Sequence, residues 1–181
     1  MFYFKKLLLI GATSRNSGKT ELASTIIKKF CKKNKIIGLK ISTYHPMDEE
    51  FHGNSSSPLP DKFIIIKESE NSNKDTARML KAGASEVYWI RTKFEHTSEA
   101  IAEFLKLIEK TSYIICESNS LRKFVKPDIF IMINNNINIE KKSSTEVMGK
   151  VDINIISNGK KFINFDFSII EIINGKWSLK A

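Results

Sequence analysis

Thr13-Ser14-Arg15-Asn16-Ser17-Gly18-Lys19-Thr20 follows the apolar run Leu7-Leu8-Leu9-Ile10 and precedes a segment with helical periodicity. A strand, a turn of small polar residues ending in Gly-Lys-Thr, and then a helix is the context in which such a turn reads as a phosphate-binding loop. Its backbone N–H groups and the helix N-terminus converge on one spot and favour an anion there. Ser14, Arg15, Asn16, Ser17, Gly18, Lys19 and Thr20 are therefore the expected phosphate contacts. Lys19 is expected to reach the β- and γ-phosphates as a point charge, and the Thr20 hydroxyl to ligate Mg²⁺. Thr13 stands where the motif has its first glycine. An ordinary strand-to-helix turn is the competing reading, but it leaves the crowding of small polar residues and a glycine unexplained.

The helix predicted over about 18–33 carries Leu22, Ile26 and Phe30, with Ala23, Ile27 and Cys31 beside them, at a spacing of four. That is one continuous apolar stripe. Ile36–Ile41 reads as a second strand. From Ser42 to Pro60 the pattern collapses into prolines, a glycine and three consecutive serines, which predicts a long loop. Phe63–Ile66 is a short strand. A helix over 73–82, with Thr76, Met79 and Leu80 facing inward, stops at Gly83. Val87–Ile90 and Tyr113–Cys116 are strands on either side of a helix over 98–110 that buries Ile101, Phe104, Leu105 and Ile108. Ile129–Ile133 is another buried strand. Apolar runs alternating with amphipathic helices predict an α/β fold, a mainly parallel, doubly wound sheet with helices on both faces.

The tail over 151–181 changes character. Val151–Ile155 alternates apolar and polar, and Asn158-Gly159 and Asn174-Gly175 are type I′ turn signals. This predicts an antiparallel C-terminal extension at a sheet edge, with Phe167 and Trp177 as packing residues. The chain of 181 residues reads as one nucleotide-binding domain that includes this extension.

Composition narrows the class. With 41% hydrophobic and 27% charged residues the chain is ordinary for a globular protein. It has no apolar run of the ~20 residues a membrane span needs. No secretory leader pattern opens it, and Cys31 and Cys116 read as thiols, so a cytoplasmic location and no membrane partner are expected. The net charge of +9 and the cluster Lys28, Lys29, Lys32, Lys33 and Lys35 raise nucleic-acid binding. Those lysines, however, end a helix, where its dipole favours cations, and no recognition-helix motif or aromatic-interleaved basic stripe accompanies them. An anionic nucleotide explains the charge equally well.

Glu117 closes the run Tyr113–Cys116, at the strand end where functional groups of such sheets collect. A carboxylate there can hold Mg²⁺ or orient a water, so Lys19 and Glu117 are the candidate catalytic pair, and Thr20 and Glu117 the metal ligands. Lys40, His45, Asp75 and Arg78 are candidate substrate contacts. His45 and His52 lie in the 42–60 loop with Asp48, Glu49 and Glu50, at no tight metal-ligand spacing, and that loop could act as a lid. Asp75 and Arg78, one turn apart, could equally pair with each other. Asn134, Asn135 and Asn136 follow a buried strand, from which an amide could read a base.

Ile10–Thr20, then Gly38-Leu39-Lys40-Ile41-Ser42, and Lys74-Asp75-Thr76-Ala77-Arg78-Met79-Leu80-Lys81-Ala82-Gly83-Ala84 stand out together. These three segments resemble the molybdopterin-guanine dinucleotide biosynthesis protein B family of small P-loop NTPases. Glu117 falls where that family has a glutamate closing a buried strand, although Ser118 replaces the glycine that usually follows it. The resemblance covers about two-thirds of the chain, does not include the tail, and implies GTP or ATP binding with Mg²⁺ and slow hydrolysis. It also implies a dimer and an accessory role beside a nucleotidyltransferase in molybdenum-cofactor assembly. The alternatives are a small-molecule kinase or ATP-dependent ligase of the dethiobiotin synthetase type, which also tolerates threonine at the Thr13 position, and a non-catalytic nucleotide-binding regulator. No Asn-Lys-x-Asp segment is present to choose guanine over adenine.

Overall fold

A computed structural model describes residues 2–14, 16–44, 61–69, 75–135, 145–158, 161–163 and 165–180. Twelve strands are described among them. The first five are β1 (Phe2–Tyr3), β2 (Leu7–Ala12), β3 (Ile36–Tyr44), β4 (Phe63–Lys67) and β5 (Glu86–Lys93). Then come β6 (Tyr113–Glu117), β7 (Val125–Lys126), β8 (Ile129–Asn135), β9 (Ile153–Ser157), β10 (Phe162–Ile163), β11 (Ile170–Ile173) and β12 (Lys176–Leu179). The helices are α1 (Lys19–Phe30), α2 (Asp75–Lys81) and α3 (Thr97–Leu107).

Eight strands form the main sheet in the order β10-β9-β8-β2-β6-β3-β5-β4. The six from β9 to β5 run parallel, and only the edges β4 and β10 are antiparallel to their neighbours. This is the α/β architecture expected, because β2, β6 and β8 are apolar nearly throughout and are buried on both faces. On one face α1 and α2 cover Leu8, Ile10, Ile115 and Ile131. On the other, Ile101 and Phe104 of α3 cover Leu9, Leu39 and Ile90. Leu105 departs from its expected burial: it stands on the solvent side of α3, 36% exposed.

Several boundaries differ from the pattern. β3 continues through Ser42, Thr43 and Tyr44, which pair with Arg91, Thr92 and Lys93 of β5. Polar side chains hid this extension, and the Trp89 indole N–H donates to Ser42 Oγ at 3.0 Å. The remainder of the expected loop, with His45, Asp48, Glu49, Glu50 and His52, lies outside the described residues. The parallel pair β1–β7 was not expected; it joins Phe2 to Val125 and Tyr3 to Lys126.

The tail is corrected most. β9 is a parallel member of the main sheet beside β8, β10 alone adds an antiparallel edge, and β11–β12 is a separate hairpin. The hairpin turns at Asn174 (φ 51°) and Gly175 (φ 74°), as a type I′ turn requires. At the other signal, the Asn158 N–H donates to the Lys161 carbonyl, and Asn158 Oδ1 accepts from the Lys161 N–H at 2.8 Å. Asn158 therefore precedes that turn instead of forming its first central residue. Trp177 is 1% exposed and packs edge-on against Phe30 and Tyr113, as a core residue should.

Candidate functional site

The chain leaves β2 toward β3 and β6 on one side and later crosses to β8 and β9 on the other. The carboxyl end of β2 is thus the point where strand order reverses, the usual position of a ligand crevice in open α/β sheets. Thr13, Ser14 and Asn16–Gly18 lie there. Gly18 is left-handed (φ 90°, ψ 19°) and caps α1, and Asn16 is left-handed as well (φ 56°). Glycine reaches this region without the steric cost a Cβ carries, and asparagine tolerates it. Having no side chain, Gly18 cannot cap the first-turn N–H groups of α1, which have no acceptor within the helix. The turn is braced internally: Ser17 Oγ donates to the Ser14 carbonyl at 2.9 Å, and the two hydroxyls lie 2.8 Å apart. Ser14 and Ser17 are buried, whereas Lys19 is half-buried and Thr20 is 9% exposed.

Thr13, the substitution for the first glycine, has a structural task. Its N–H donates to the Ile133 carbonyl at 2.9 Å, and its Oγ1 accepts from the Asn135 N–H at 3.1 Å. The start of the turn is thereby fastened to the end of β8. Asn119 fastens the other neighbour. Its Oδ1 accepts from the Ala12 N–H and its Nδ2 donates to the Ala12 carbonyl, each at 2.8 Å. The amide takes both backbone groups of the last β2 residue, as a strand would. A methyl group at Gly11 would lie 2.9 Å from Asn119 Oδ1, so Gly11 leaves room for this approach. Neither role was visible in the sequence, since Asn119 is 107 positions from Ala12.

Glu117 ends β6 in register with Ile10 of β2 and Lys40 of β3. It is 3% exposed. Ile115, two residues earlier, belongs to the core beneath α1, so Glu117 stands on that same face of the sheet. The next residue is tied down as well, because the Ser118 N–H donates to the Ile10 carbonyl at 3.0 Å. Ser118 and Ser120 share a hydrogen bond, and Thr43 Oγ1 donates to Ser120 Oγ at 3.0 Å. Hydroxyls so link the end of β6 to the end of β3. Burial first, and the Glu117 charge second, push the Cys116 thiol well above its ordinary value, which leaves it a neutral packing group. Cys31 is also a free thiol.

The structure therefore places Ser14, Asn16, Ser17, Gly18, Lys19 and Thr20 after the carboxyl end of β2 and Glu117 at that of the neighbouring β6, with Lys40 in register beside Glu117 in the middle of β3. Arg78 reaches the first turn of α1, where its Nη2 meets Glu21 Oε2 at 2.5 Å. Both side chains of that pair are at least half exposed, so the contact contributes little. Asp75 opens α2, and Arg15 and His45 lie outside the described residues. Asn134 and Asn135 belong to β8 itself.

The donor set suits magnesium. Thr20 offers a hydroxyl and Glu117 a carboxylate, both hard oxygen donors, and Mg²⁺ commonly takes one or two such groups together with substrate phosphates. No group of three or more His, Cys, Asp or Glu that could hold a metal occurs among the described residues. No described helix is long and apolar enough to cross a membrane. No family model, curated protein or solved structure matches the chain.

Proposed function

We propose that the chain is a Mg²⁺-dependent nucleotide-binding protein of the P-loop type, with slow NTP hydrolysis. The observation that carries the proposal is the left-handed Gly18 at the N-terminus of α1, at the strand-order reversal, with Lys19 and Thr20 next in the chain and Glu117 ending the adjacent strand β6. Each part has a task. The first-turn N–H groups of α1 take phosphate oxygens, and Lys19 adds a charge-assisted contact to the β/γ-phosphates. Thr20 and Glu117 are the residues that would hold Mg²⁺, which supplies charge neutralisation at the phosphates. Lys40, registered beside Glu117, faces a second anionic substrate. The resemblance of Ile10–Thr20, Gly38–Ser42 and Lys74–Ala84 to the molybdopterin-guanine dinucleotide biosynthesis protein B family extends the proposal. By that analogy the protein serves molybdenum-cofactor assembly as a nucleotide-binding accessory to a nucleotidyltransferase.

Calorimetric titration with ATP and with GTP in Mg²⁺ tests the reading. Lys19→Ala should weaken binding by about 1.5–3 kcal/mol, the value of a hydrogen bond to a charged group. Its circular dichroism should stay that of the parent. In the same preparation Glu117→Gln should keep nucleotide affinity and slow Mg²⁺-dependent hydrolysis. Equal affinity for Lys19→Ala and parent would sink the proposal.

A further inference from the structure

The C-terminal extension reaches back to the phosphate loop. A methyl group placed on Gly18 would lie 3.2 Å from Phe162 Cζ and 3.3 Å from its Cε1, so the ring rests against the glycine itself. Phe162 belongs to β10, the short antiparallel edge beyond β9. From this contact we infer that Phe162 is a positioning residue of the phosphate loop, holding Gly18 in its left-handed turn before any ligand arrives. The inference rests on the phosphate-loop reading of Gly18 and assigns the extension a part in that site.

A glycine at φ 90° is permitted there but not confined there, because glycine populates both signs of φ and loses more freedom on ordering than other residues. Something outside the residue must select the conformation. The Ser14–Ser17 hydroxyl pair braces the turn from within. Phe162 closes it from without, and the connection back is continuous. Phe162 pairs with Ser157, Ser157 with Asn135, and the Asn135 N–H donates to Thr13 Oγ1. Both ends of the loop, Thr13 and Gly18, are thus held by the same three strands, β8, β9 and β10.

The ring is itself supported. Phe162 meets Phe167 edge-on with centroids 6.3 Å apart, and Phe167 meets Phe165 at 4.9 Å. Lys29 Nζ, from the last turn of α1, donates to the Phe167 and Ile170 carbonyls at 2.7 and 2.8 Å. The helix that begins after Gly18 therefore anchors, at its far end, the Phe167 turn whose ring backs Phe162.

Inorganic tripolyphosphate, which has no base or sugar, is the discriminating probe. Phe162→Ala should lose affinity for tripolyphosphate, ATP and GTP by the same factor, about tenfold. Phe162→Leu should recover most of it. Hydrogen exchange on the ligand-free proteins supplies a readout independent of binding. Amides of residues 16–20 should exchange faster in Phe162→Ala, while those of β8 keep the parent's protection. Unchanged tripolyphosphate affinity or unchanged loop exchange overturns the inference. A loss confined to ATP and GTP also overturns it, by making the ring a base contact. If the parent binds none of the three probes, the phosphate-loop reading falls, and the exchange measurement still decides whether Phe162 orders the turn.

Discussion

Two turns in this molecule place an asparagine and a glycine in the left-handed region, and they differ in almost everything else. At Asn174-Gly175 the two residues are adjacent, close a two-residue hairpin, and a methyl group on Gly175 would meet nothing within 4 Å. At Asn16 and Gly18 the residues flank Ser17, and Gly18 lies under an aromatic ring. The hairpin turn satisfies a local demand, the twist of β11 and β12, and its surroundings are indifferent to it. The turn before α1 is held from several sides by groups distant in sequence. Enclosure is what distinguishes it from the turn that merely reverses the chain.

The sharpest way to break this comparison is to put the same methyl group on both glycines. Gly175→Ala should cost about 1 kcal/mol, the strain of a Cβ at positive φ. Gly18→Ala carries that strain and also overpacks against Phe162, for a total of about 2–4 kcal/mol. Urea denaturation of both variants measures the difference. Combining Gly18→Ala with Phe162→Leu should recover part of the excess, because contacting residues do not add. Equal costs for the two alanines would show that Gly18 is no more enclosed than Gly175.

Asn119→Ala comes next in size. It strips partners from both the Ala12 N–H and the Ala12 carbonyl, so about 2–3 kcal/mol should be lost in the same denaturation experiment. Asn119→Asp keeps the acceptor and removes the donor, and should lie between alanine and parent. A result within error of the parent would mean that β2 ends firmly without the amide. Thr13→Val is the smaller of the two changes that cut the loop's ties. It keeps the shape of the side chain and deletes the acceptor of the Asn135 N–H, at a cost of about 1–2 kcal/mol. No cost at all would show that the backbone bond from Thr13 to Ile133 holds the start of the loop to β8 without the hydroxyl.

The parts legible in the sequence were those set by local pattern. β2, β6 and β8 announced themselves as apolar runs, α1 by a stripe from Leu22 to Phe30, and Gly83 and Asn174-Gly175 by the backbone shapes they permit. Gly83 ends α2 at φ 102°, and the Ala84 N–H returns to the Met79 carbonyl. What stayed hidden depends on pairing across the chain. Ser42–Tyr44 look like loop until β5 is laid beside them, and β9 looks like an antiparallel addition until β8 becomes its parallel neighbour. The same holds at the site. Gly18, Lys19, Thr20 and Glu117 are candidates that a local motif and a strand end can name one residue at a time. Thr13, Asn119 and Phe162 act through partners more than a hundred positions away, and no spacing rule reaches that far.

Trp177 and Trp89, the chain's two tryptophans, divide the molecule between them. Trp177 is enclosed where the extension meets α1 and β6, with its indole N–H given to the Lys6 carbonyl at 3.0 Å. Trp89 is half-buried in the row that continues from Glu117 through Lys40, and donates to Ser42. One indole should emit from an apolar interior and the other from a more polar, cation-flanked surface, since Arg91 lies 5.6 Å from the Trp89 ring centroid. Intrinsic fluorescence therefore carries two separable colours, blue for the docking of the tail and redder for the β3–β5 side of the sheet. With Trp177→Phe or Trp89→Phe as the silencing change, each region becomes its own optical reporter.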